Sequence, residues 1–131
     1  MSIKKALVIG GSNGIGLALS RVLSDTGADV HILDIAEPDR NIIAENECVY
    51  SRFDMRFPNM DMIARFAEDR RTNALIITAG IGRVSEFQNF SMAEIEKTIT
   101  INMLSSVKIV RAFYDKLLTG GGGKERIFTA V

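Results

Sequence analysis

A glycine-rich turn near the N terminus constrains the fold of this chain more than any other feature. The segment Ile9–Gly16 has the sequence I-G-G-S-N-G-I-G and lies between an apolar run and a helix-like pattern. Glycine permits positive φ angles and a close approach of the backbone to a ligand. A helix that begins after such a turn offers unpaired N–H groups and a partly positive end to a phosphate. The segment therefore predicts a strand-turn-helix unit that binds a pyrophosphate.

The patterns around this turn alternate between strand and helix. The apolar run Lys5–Ile9 predicts a strand buried on both faces. Helical spacing from Gly14 ends at Thr26–Gly27, where glycine supplies a C-terminal cap. Further strand patterns and helix patterns follow along the chain. They predict strands over Asp29–Asp34, Cys48–Ser51, Asn73–Ala79 and Glu125–Val131, a helix over Asn59–Asp69, and one long or bent helix over Ser91–Leu118.

This order of elements predicts a single α/β domain over residues 1–131. Alternating strands and helices with short connections form a Rossmann-type doubly wound parallel sheet, and right-handed crossovers favour the strand order 3-2-1-4-5. In such a sheet the winding direction reverses between strands one and four. The ligand crevice is expected beyond the carboxyl ends of those two strands.

An acidic residue after the second predicted strand supports a dinucleotide site. Asp34 lies 20 residues after Gly14, where a carboxylate can accept hydrogen bonds from the adenosine ribose. The acid would repel a 2′-phosphate and Asn13 brings no cation, so the pattern favours NAD over NADP. Two alternatives stay open, namely a glycine-rich connection without a ligand and a solvated acid at a strand end.

The glycine spacing points to one family. The spacing differs from G-x-G-x-x-G, the standard Rossmann fingerprint. A phosphate-binding P-loop is excluded, because no Lys-Ser/Thr pair follows the glycines. Gly10, Gly14 and Gly16 instead have the spacing T-G-x-x-x-G-x-G of the short-chain dehydrogenase/reductase family. The chain resembles this family in order along all 131 residues. The resemblance implies a single Rossmann domain, in agreement with the predicted sheet.

The resemblance also implies roles for individual residues. Asp34 matches the acid that gives the family's NAD preference, and Asp54 matches an aspartate that contacts the adenine. Asn102 matches a helix asparagine that holds a water in the proton relay, and it is the one catalytic residue implied here. The other implied cofactor-binding residues are Gly10, Ser12, Asn13, Gly14, Ile15 and Gly16 in the turn, and Ile35, Met55, Ala79 and Gly80 after later strands.

The chain departs from the family pattern at several positions. Ile9 replaces the usual threonine before the first glycine, and Ile77-Thr78 replaces both asparagines of N-N-A-G. These changes put local hydrogen bonds in question more than cofactor binding. The family's catalytic serine and Tyr-x-x-x-Lys pair follow the fifth strand, and neither Tyr50 nor Tyr114 precedes a lysine by four residues. We therefore expect a truncated product or part of a longer protein, which binds the cofactor without turnover.

The composition argues against some classes of binding partner. The 16 basic residues balance the 16 acidic ones, which argues against nucleic acid or an anionic membrane surface as a partner. The chain has one cysteine, Cys48, and no apolar stretch long enough to span a bilayer, so a cytoplasmic location is expected. His31 and Cys48 are expected to be packed in strands. No metal-ligand spacing occurs.

The hypothesis from sequence is an NAD-dependent oxidoreductase that transfers hydride between the nicotinamide and an alcohol or carbonyl substrate. The alternative is a non-catalytic dinucleotide-binding sensor or scaffold protein, because fold does not fix function. A continuation beyond Val131 to a serine and a Tyr-x-x-x-Lys pair would favour the enzyme. The resemblance also implies a homodimer through the helix 91–118. Nothing in the sequence indicates the substrate.

Overall fold

The computed structural model describes residues 2–44, 47–119 and 126–129. Its strands are β1 (Lys5–Ile9), β2 (Asp29–Asp34), β3 (Cys48–Arg52), β4 (Thr72–Ile77) and β5 (Arg126–Thr129). Its α-helices are α1 (Gly14–Asp25), α2 (Met60–Glu68), α3 (Met92–Ile99) and α4 (Ser105–Thr119). A 3₁₀ turn covers Phe87–Asn89, and a π-helical turn over Thr100–Leu104 joins α3 to α4.

The five strands form one parallel sheet in the order β3-β2-β1-β4-β5. This confirms the predicted doubly wound fold. In the central strand, Ile9 pairs with Leu33 of β2 and with Ile77 of β4. The carboxyl ends of three strands therefore meet at one edge of the sheet, where the ligand crevice was expected.

The sheet lies between two layers of helices. Side chains of β1 alternate between the two faces, as in any strand. Leu7 and Ile9 are buried with Ile63 of α2 and Ile109 of α4. On the opposite face, neighbouring residues of β1 and β2 pack against Leu17 of α1. The turn between β1 and α1 is thus anchored to a buried strand on one side and a packed helix on the other.

Most predicted boundaries agree with the structure, and the largest difference concerns β4. That strand was predicted to extend to Ala79, but it ends at Ile77. The N–H groups of Thr78 and Ala79 both bond to the carbonyl oxygen of Ile9, at 2.8 and 3.2 Å. The chain therefore leaves the parallel ladder and turns over the end of β1. For the fifth strand, Glu125, Ala130 and Val131 lie outside the described residues.

The segment predicted as one long helix begins at a capping box, as expected. The Ser91 side chain accepts from the Glu94 N–H, and the Glu94 side chain accepts from the Ser91 N–H. The π-helical turn then interrupts the α-helical pattern before Ser105. The buried Ser105 hydroxyl donates to the carbonyl oxygen of Met55. This bond fixes the start of α4 to the segment that follows β3.

His31 and Cys48 are packed in strands, as predicted. His31 is half-buried, meets the Phe66 ring edge-on and places Nε2 2.8 Å from Ser51 Oγ. Burial, with a smaller contribution from Lys5, lowers the pKa of its imidazole. Burial raises the pKa of the Cys48 thiol to about 11, so the group stays a thiol near neutral pH. Neither residue has the environment of a reactive group.

Among the helices that the structure describes, every one is too short or too polar to cross a bilayer.

Candidate functional site

The glycine turn has a backbone path that side chains would block. Gly10 and Gly14 have φ angles of +86° and +51°. A Cβ on Gly16 would lie 2.1 Å from the carbonyl oxygen of Gly10, and a Cβ on Gly10 would lie 2.5 Å from the backbone nitrogen of Ala79. Because real Cβ contacts are never so short, the first turn of α1 approaches β1 and β4 at a distance that glycine alone permits.

Thr78 connects this turn to β4. Its hydroxyl group lies 3.0 Å from the carbonyl oxygen of Gly10 and 3.3 Å from that of Ile9. The sequence raised the concern that Ile77-Thr78, in place of two asparagines, leaves local hydrogen bonds unmade. At the Thr78 position, a hydroxyl at the end of β4 bonds to the turn directly.

A cavity of about 420 Å³ lies at the carboxyl ends of β1, β2 and β4. This volume falls within the range of small-molecule sites. The cavity wall includes many of the residues that the resemblance assigns to the cofactor. They are Gly10, Asn13, Asp34, Ile35, Asp54, Met55, Ala79 and Gly80. The other four predicted residues of the turn, Ser12, Gly14, Ile15 and Gly16, are not part of this wall.

Asp34 holds the turn against the end of β2. Its Oδ2 accepts from the backbone N–H of Ser12 at 3.0 Å, and its Oδ1 accepts from the N–H of Ile35 at 2.7 Å. Hydrogen bonds to a charged acceptor are stronger than neutral ones. The carboxylate is therefore held in place on the cavity wall, and its remaining lone pairs can accept from a ligand.

The start of α1 has the properties of an anion site. The side chain of Asn13, which precedes the helix, makes no capping bond, and the first turn contains no acidic residue among its described positions. Ser12 is 6% exposed, and its hydroxyl oxygen has no hydrogen-bond partner in the part of the chain that the structure describes. A buried polar atom without a partner is costly. A phosphate oxygen is the kind of group that an uncapped helix start binds, whereas the buried Ser12 hydroxyl does not line the cavity.

Asp54 lies on the cavity wall after β3 and is paired with a residue that was not predicted for the site. Arg56 contacts both of its carboxylate oxygens, with Nη2 2.8 Å from Oδ2 and Nε 3.1 Å from Oδ1. These bonds lower the pKa of the Asp54 carboxyl group below its usual value. Arg56 also lines the cavity. A cation two residues after Asp54 was the available signal for it.

Two further residues complete the wall from the side of α3. Lys97 and Ile101 border the cavity together with Ile81, which follows β4. A spacing of four residues places Lys97 and Ile101 on one face of a helix. Lys97 was not predicted as a site residue, because no local pattern shows that it borders the same cavity as the residues after β4.

Asn102 lies in the π-helical turn and borders a second cavity of about 510 Å³ beside the first. Its side-chain oxygen accepts from the N–H of Ile81 at 2.8 Å, and its amide nitrogen donates to the carbonyl oxygen of Ile81 at 2.7 Å. Asn102 therefore holds the segment after β4, although Ile81 lies 21 positions earlier in the sequence. The resemblance implied a water-holding role, and the structure adds this positioning contact.

Replacing Asn102 by alanine should release the segment around Ile81. Two hydrogen bonds are lost and two backbone groups lose their partners, so the free energy of unfolding should fall by about 1–3 kcal/mol. Urea denaturation measures this change, and amide hydrogen exchange should show faster exchange at Ile81. The exposed Asn41 gives the control Asn41→Ala, which should change neither quantity. Unaltered exchange at Ile81 in Asn102→Ala would contradict this account.

No group of three or more His, Cys, Asp and Glu side chains that could hold a metal ion occurs within residues 2–44, 47–119 and 126–129. The polar side chains of the cavity wall are two carboxylates that already have partners, two cations, one amide and one hydroxyl. This set suits an organic ligand with phosphate and hydroxyl groups.

Comparison with known proteins agrees with this description. Residues 4–127 match the family model described as short chain dehydrogenase. A D-beta-hydroxybutyrate dehydrogenase of Rhizobium meliloti is 28% identical over 133 residues, which cover 92% of this chain and 51% of the relative. This chain thus spans about half the length of that relative.

Solved structures show the same fold. A bulky-bulky ketone specific alcohol dehydrogenase from Comamonas testosteroni superposes with a TM-score of 0.87 at 18% identity, covering 98% of this chain and 55% of the other. A short-chain dehydrogenase from Sphingobium yanoikuyae in complex with NADPH has a TM-score of 0.82 at 21% identity, covering 96% and 52%. At these identities the likeness concerns the fold alone.

Proposed function

Because this chain belongs to the short-chain dehydrogenase family, we propose that it forms the cofactor-binding part of an NAD-dependent oxidoreductase acting on an alcohol or carbonyl group. The observation that carries the proposal is the glycine turn, which is joined to Asp34 by the Ser12 hydrogen bond. The turn provides a phosphate site and Asp34 a ribose site, and both belong to one edge of the sheet. When bound, the nicotinamide would supply the hydride chemistry.

The residues of the turn would hold the pyrophosphate. The uncapped first turn of α1 offers N–H donors and the positive end of the helix dipole. Ser12, whose hydroxyl is buried, is assigned to the phosphates from the family resemblance. Gly10 and Gly16 leave the backbone free of side chains at the closest approach, and Gly14 and Ile15 belong to the same turn. Ala79 and Gly80, after β4, would border the nicotinamide ribose.

The preference for NAD over NADP is part of the proposal. Asp34 would accept hydrogen bonds from the ribose hydroxyls, with Ile35 beside it on the wall. Its negative charge would repel a 2′-phosphate at the same place. The fold does not select between the two cofactors, because the Sphingobium yanoikuyae neighbour is in complex with NADPH. The preference therefore depends on the local charge at Asp34.

Asn102 is the only residue of this chain that we assign to the catalytic machinery. By holding Ile81 at both its N–H and its carbonyl oxygen, it positions the segment between the two cavities. In the full reaction it would also hold a water for proton transfer, as the family resemblance implies. Carbonyl reduction needs an acid to protonate the alkoxide that forms. Asn102 is no such acid, so the 131-residue chain is proposed to bind without turnover.

A homodimer through the long helical segment is a further part of the proposal. Ile99, Met103, Val107 and Tyr114 are each about half exposed or more. Val107 and Tyr114 are seven residues apart and lie on one side of α4, while Ile99 ends α3 and Met103 lies in the π-helical turn before α4. An exposed apolar stripe of this kind is typical of an interface between subunits.

Isothermal titration of the purified chain with NAD and with NADP tests the cofactor assignment. We expect NAD to bind about tenfold more tightly than NADP, since a repulsion of about 1.4 kcal/mol corresponds to that factor. ADP-ribose should bind nearly as well as NAD, because the turn, Asp34 and Asp54 contact that part of the molecule. Equal affinity for NAD and NADP would contradict the preference. Failure of all three to bind the folded chain would contradict the function.

A further inference from the structure

A third cavity, of about 320 Å³, lies between α2 and the strands β1, β2 and β3. No residue of its wall borders the proposed cofactor cavity. The volume is at the lower end of the range for small-molecule sites. The polar part of the wall consists of Lys5, His31, Ser51, Arg65 and Asp69. The cavity is therefore a separate place in which a small polar ligand can bind.

The charges on this wall do not balance. Lys5 Nζ lies 2.7 Å from Asp69 Oδ2, and Asp69 Oδ1 accepts from the backbone N–H of Arg71 at 3.0 Å. Both oxygens of the single carboxylate on the wall thus have a partner. The guanidinium group of Arg65 makes no hydrogen bond or ion pair anywhere in the described part of the chain. One positive charge on the wall is therefore left without a partner.

His31 and Ser51 form a hydrogen-bonded pair on the same wall. Nε2 lies 2.8 Å from Ser51 Oγ, and the Phe66 ring packs edge-on against the imidazole with the centroids 4.7 Å apart. When both ring nitrogens carry protons, Nε2 donates to Ser51, so the Ser51 O–H can donate to a ligand. A negative charge on that ligand would stabilise the protonated imidazole. The charged groups that face His31 are Lys5 from β1 and two residues of the α2 segment, Arg65 and Asp69.

We propose that this cavity binds the carboxylate of a small organic acid, to which Arg65 and Ser51 donate hydrogen bonds. The apolar part of the acid would lie against Phe66 and Met62, which complete the wall. One positive charge without a partner suits a monoanion, whereas the charge of Asp69 would repel a dianion such as a phosphate ester. The site goes beyond the proposed cofactor function, because it requires no dinucleotide.

Binding of the acid is coupled to the protonation of His31. Burial and, to a smaller extent, Lys5 lower the pKa of the His31 imidazole in the free chain. A carboxylate in the cavity opposes both causes, so we expect this pKa to rise when the acid is bound. By linkage, the acid should bind more tightly at a pH at which His31 is protonated.

An ordinary solvated surface would behave differently. In that case Arg65 would only extend into water, and the Lys5–Asp69 ion pair would only join β1 to the end of α2. Anions would then associate equally with any exposed arginine. A lower pH would strengthen their association only through the net charge of the chain. A built site instead predicts an effect confined to Arg65 and reported by His31.

The test is an NMR titration of the chain with benzoate, with its neutral analogue benzamide and with phenyl phosphate. His31 is the only histidine among the 131 residues, so its imidazole signal reports on the cavity directly. Benzoate remains ionised at both about pH 5.5 and about pH 7.5, because carboxyl groups titrate near pH 4. We expect saturable shifts of the His31 signal with benzoate, tighter binding at the lower pH, a raised His31 pKa, and no binding of benzamide.

Arg65→Gln should weaken benzoate binding about fivefold. Arg70→Gln is the matched control, because it removes the same charge from an exposed position that is not on the wall, and it should leave binding unchanged. The inference is overturned if benzoate gives no saturable shift of the His31 signal, or if the two variants lose equal affinity. Equal binding of benzamide, or tighter binding of phenyl phosphate, would also overturn it. A separate titration with NAD tests the proposed function, which fails or holds independently of benzoate binding.

Discussion

Replacing Gly16 by alanine is expected to abolish NAD binding and to lower the free energy of unfolding by about 3 kcal/mol. The added Cβ would lie 2.1 Å from the carbonyl oxygen of Gly10 and 2.5 Å from the hydroxyl oxygen of Thr78. One of these contacts is with backbone, so side-chain rotation cannot relieve it. α1 would have to move away from β1, and the turn would lose its shape. Titration calorimetry and urea denaturation measure the two effects.

Intrinsic helix preference acts in the opposite direction, because alanine is favoured over glycine in a helix by about 1 kcal/mol. The experiment therefore decides whether the close packing outweighs that preference. Gly82→Ala is the matched control, since no described atom lies within 4 Å of its added Cβ and its φ angle is not positive. It should leave stability unchanged. A Gly16→Ala chain as stable as the unaltered one would show that α1 and β1 are not packed as described.

The sequence alone predicted the strands around the glycine turn and the place of the crevice. The bounds of β1 and β2 were predicted correctly because each strand is a short apolar run that ends at a strong local signal. Glycines follow β1 directly, and Asp34 is the last residue of β2. The order of the strands followed from general rules of connection. The place of the crevice then followed from that order. Local pattern and topology were sufficient for these features.

Features that depend on distant neighbours were not predictable in the same way. The end of β4 is set by two N–H groups that bond to Ile9, nearly 70 residues earlier in the chain. The hydroxyl of Thr78 bonds to the carbonyl oxygen of Gly10, 68 residues earlier in the chain. Lys97 borders the same cavity as Thr78–Ile81, which lie 16 or more residues earlier in the chain. No local window of sequence contains these pairs.

The interruption of the long helix also involves residues that are distant in sequence. Apolar spacing from Ser91 onward predicts a helix but not its π-helical turn, because such a turn occurs as a single turn inside an otherwise helical segment. In the structure this turn carries Asn102, whose side chain bonds to Ile81. π-helical turns are frequent at functional sites. The family resemblance pointed to Asn102, and the structure shows which backbone segment it positions.

Replacing Asp34 by alanine is expected to weaken NAD binding by a factor of ten or more and to remove the preference over NADP. The change removes the acceptor for the Ser12 and Ile35 N–H groups, and hydrogen bonds to a charged group contribute about 1.5–3 kcal/mol each. It also removes the charge that would repel a 2′-phosphate. Parallel titrations with NAD and NADP measure both effects. Asp29→Ala is the control, because Asp29 lies at the other end of β2 in an exposed ion pair with Arg71.

Asp34→Asn separates the charge from the shape of the site. The asparagine oxygen can still accept one backbone N–H, so the turn should keep its position, while the repulsion of a phosphate disappears. We expect NADP to bind more tightly to Asp34→Asn than to the unaltered chain, and NAD to lose less affinity than in Asp34→Ala. An exposed pair such as that of Asp29 contributes little, so Asp29→Ala should change neither titration. If NADP binding does not improve in Asp34→Asn, the charge of Asp34 is not what selects the cofactor.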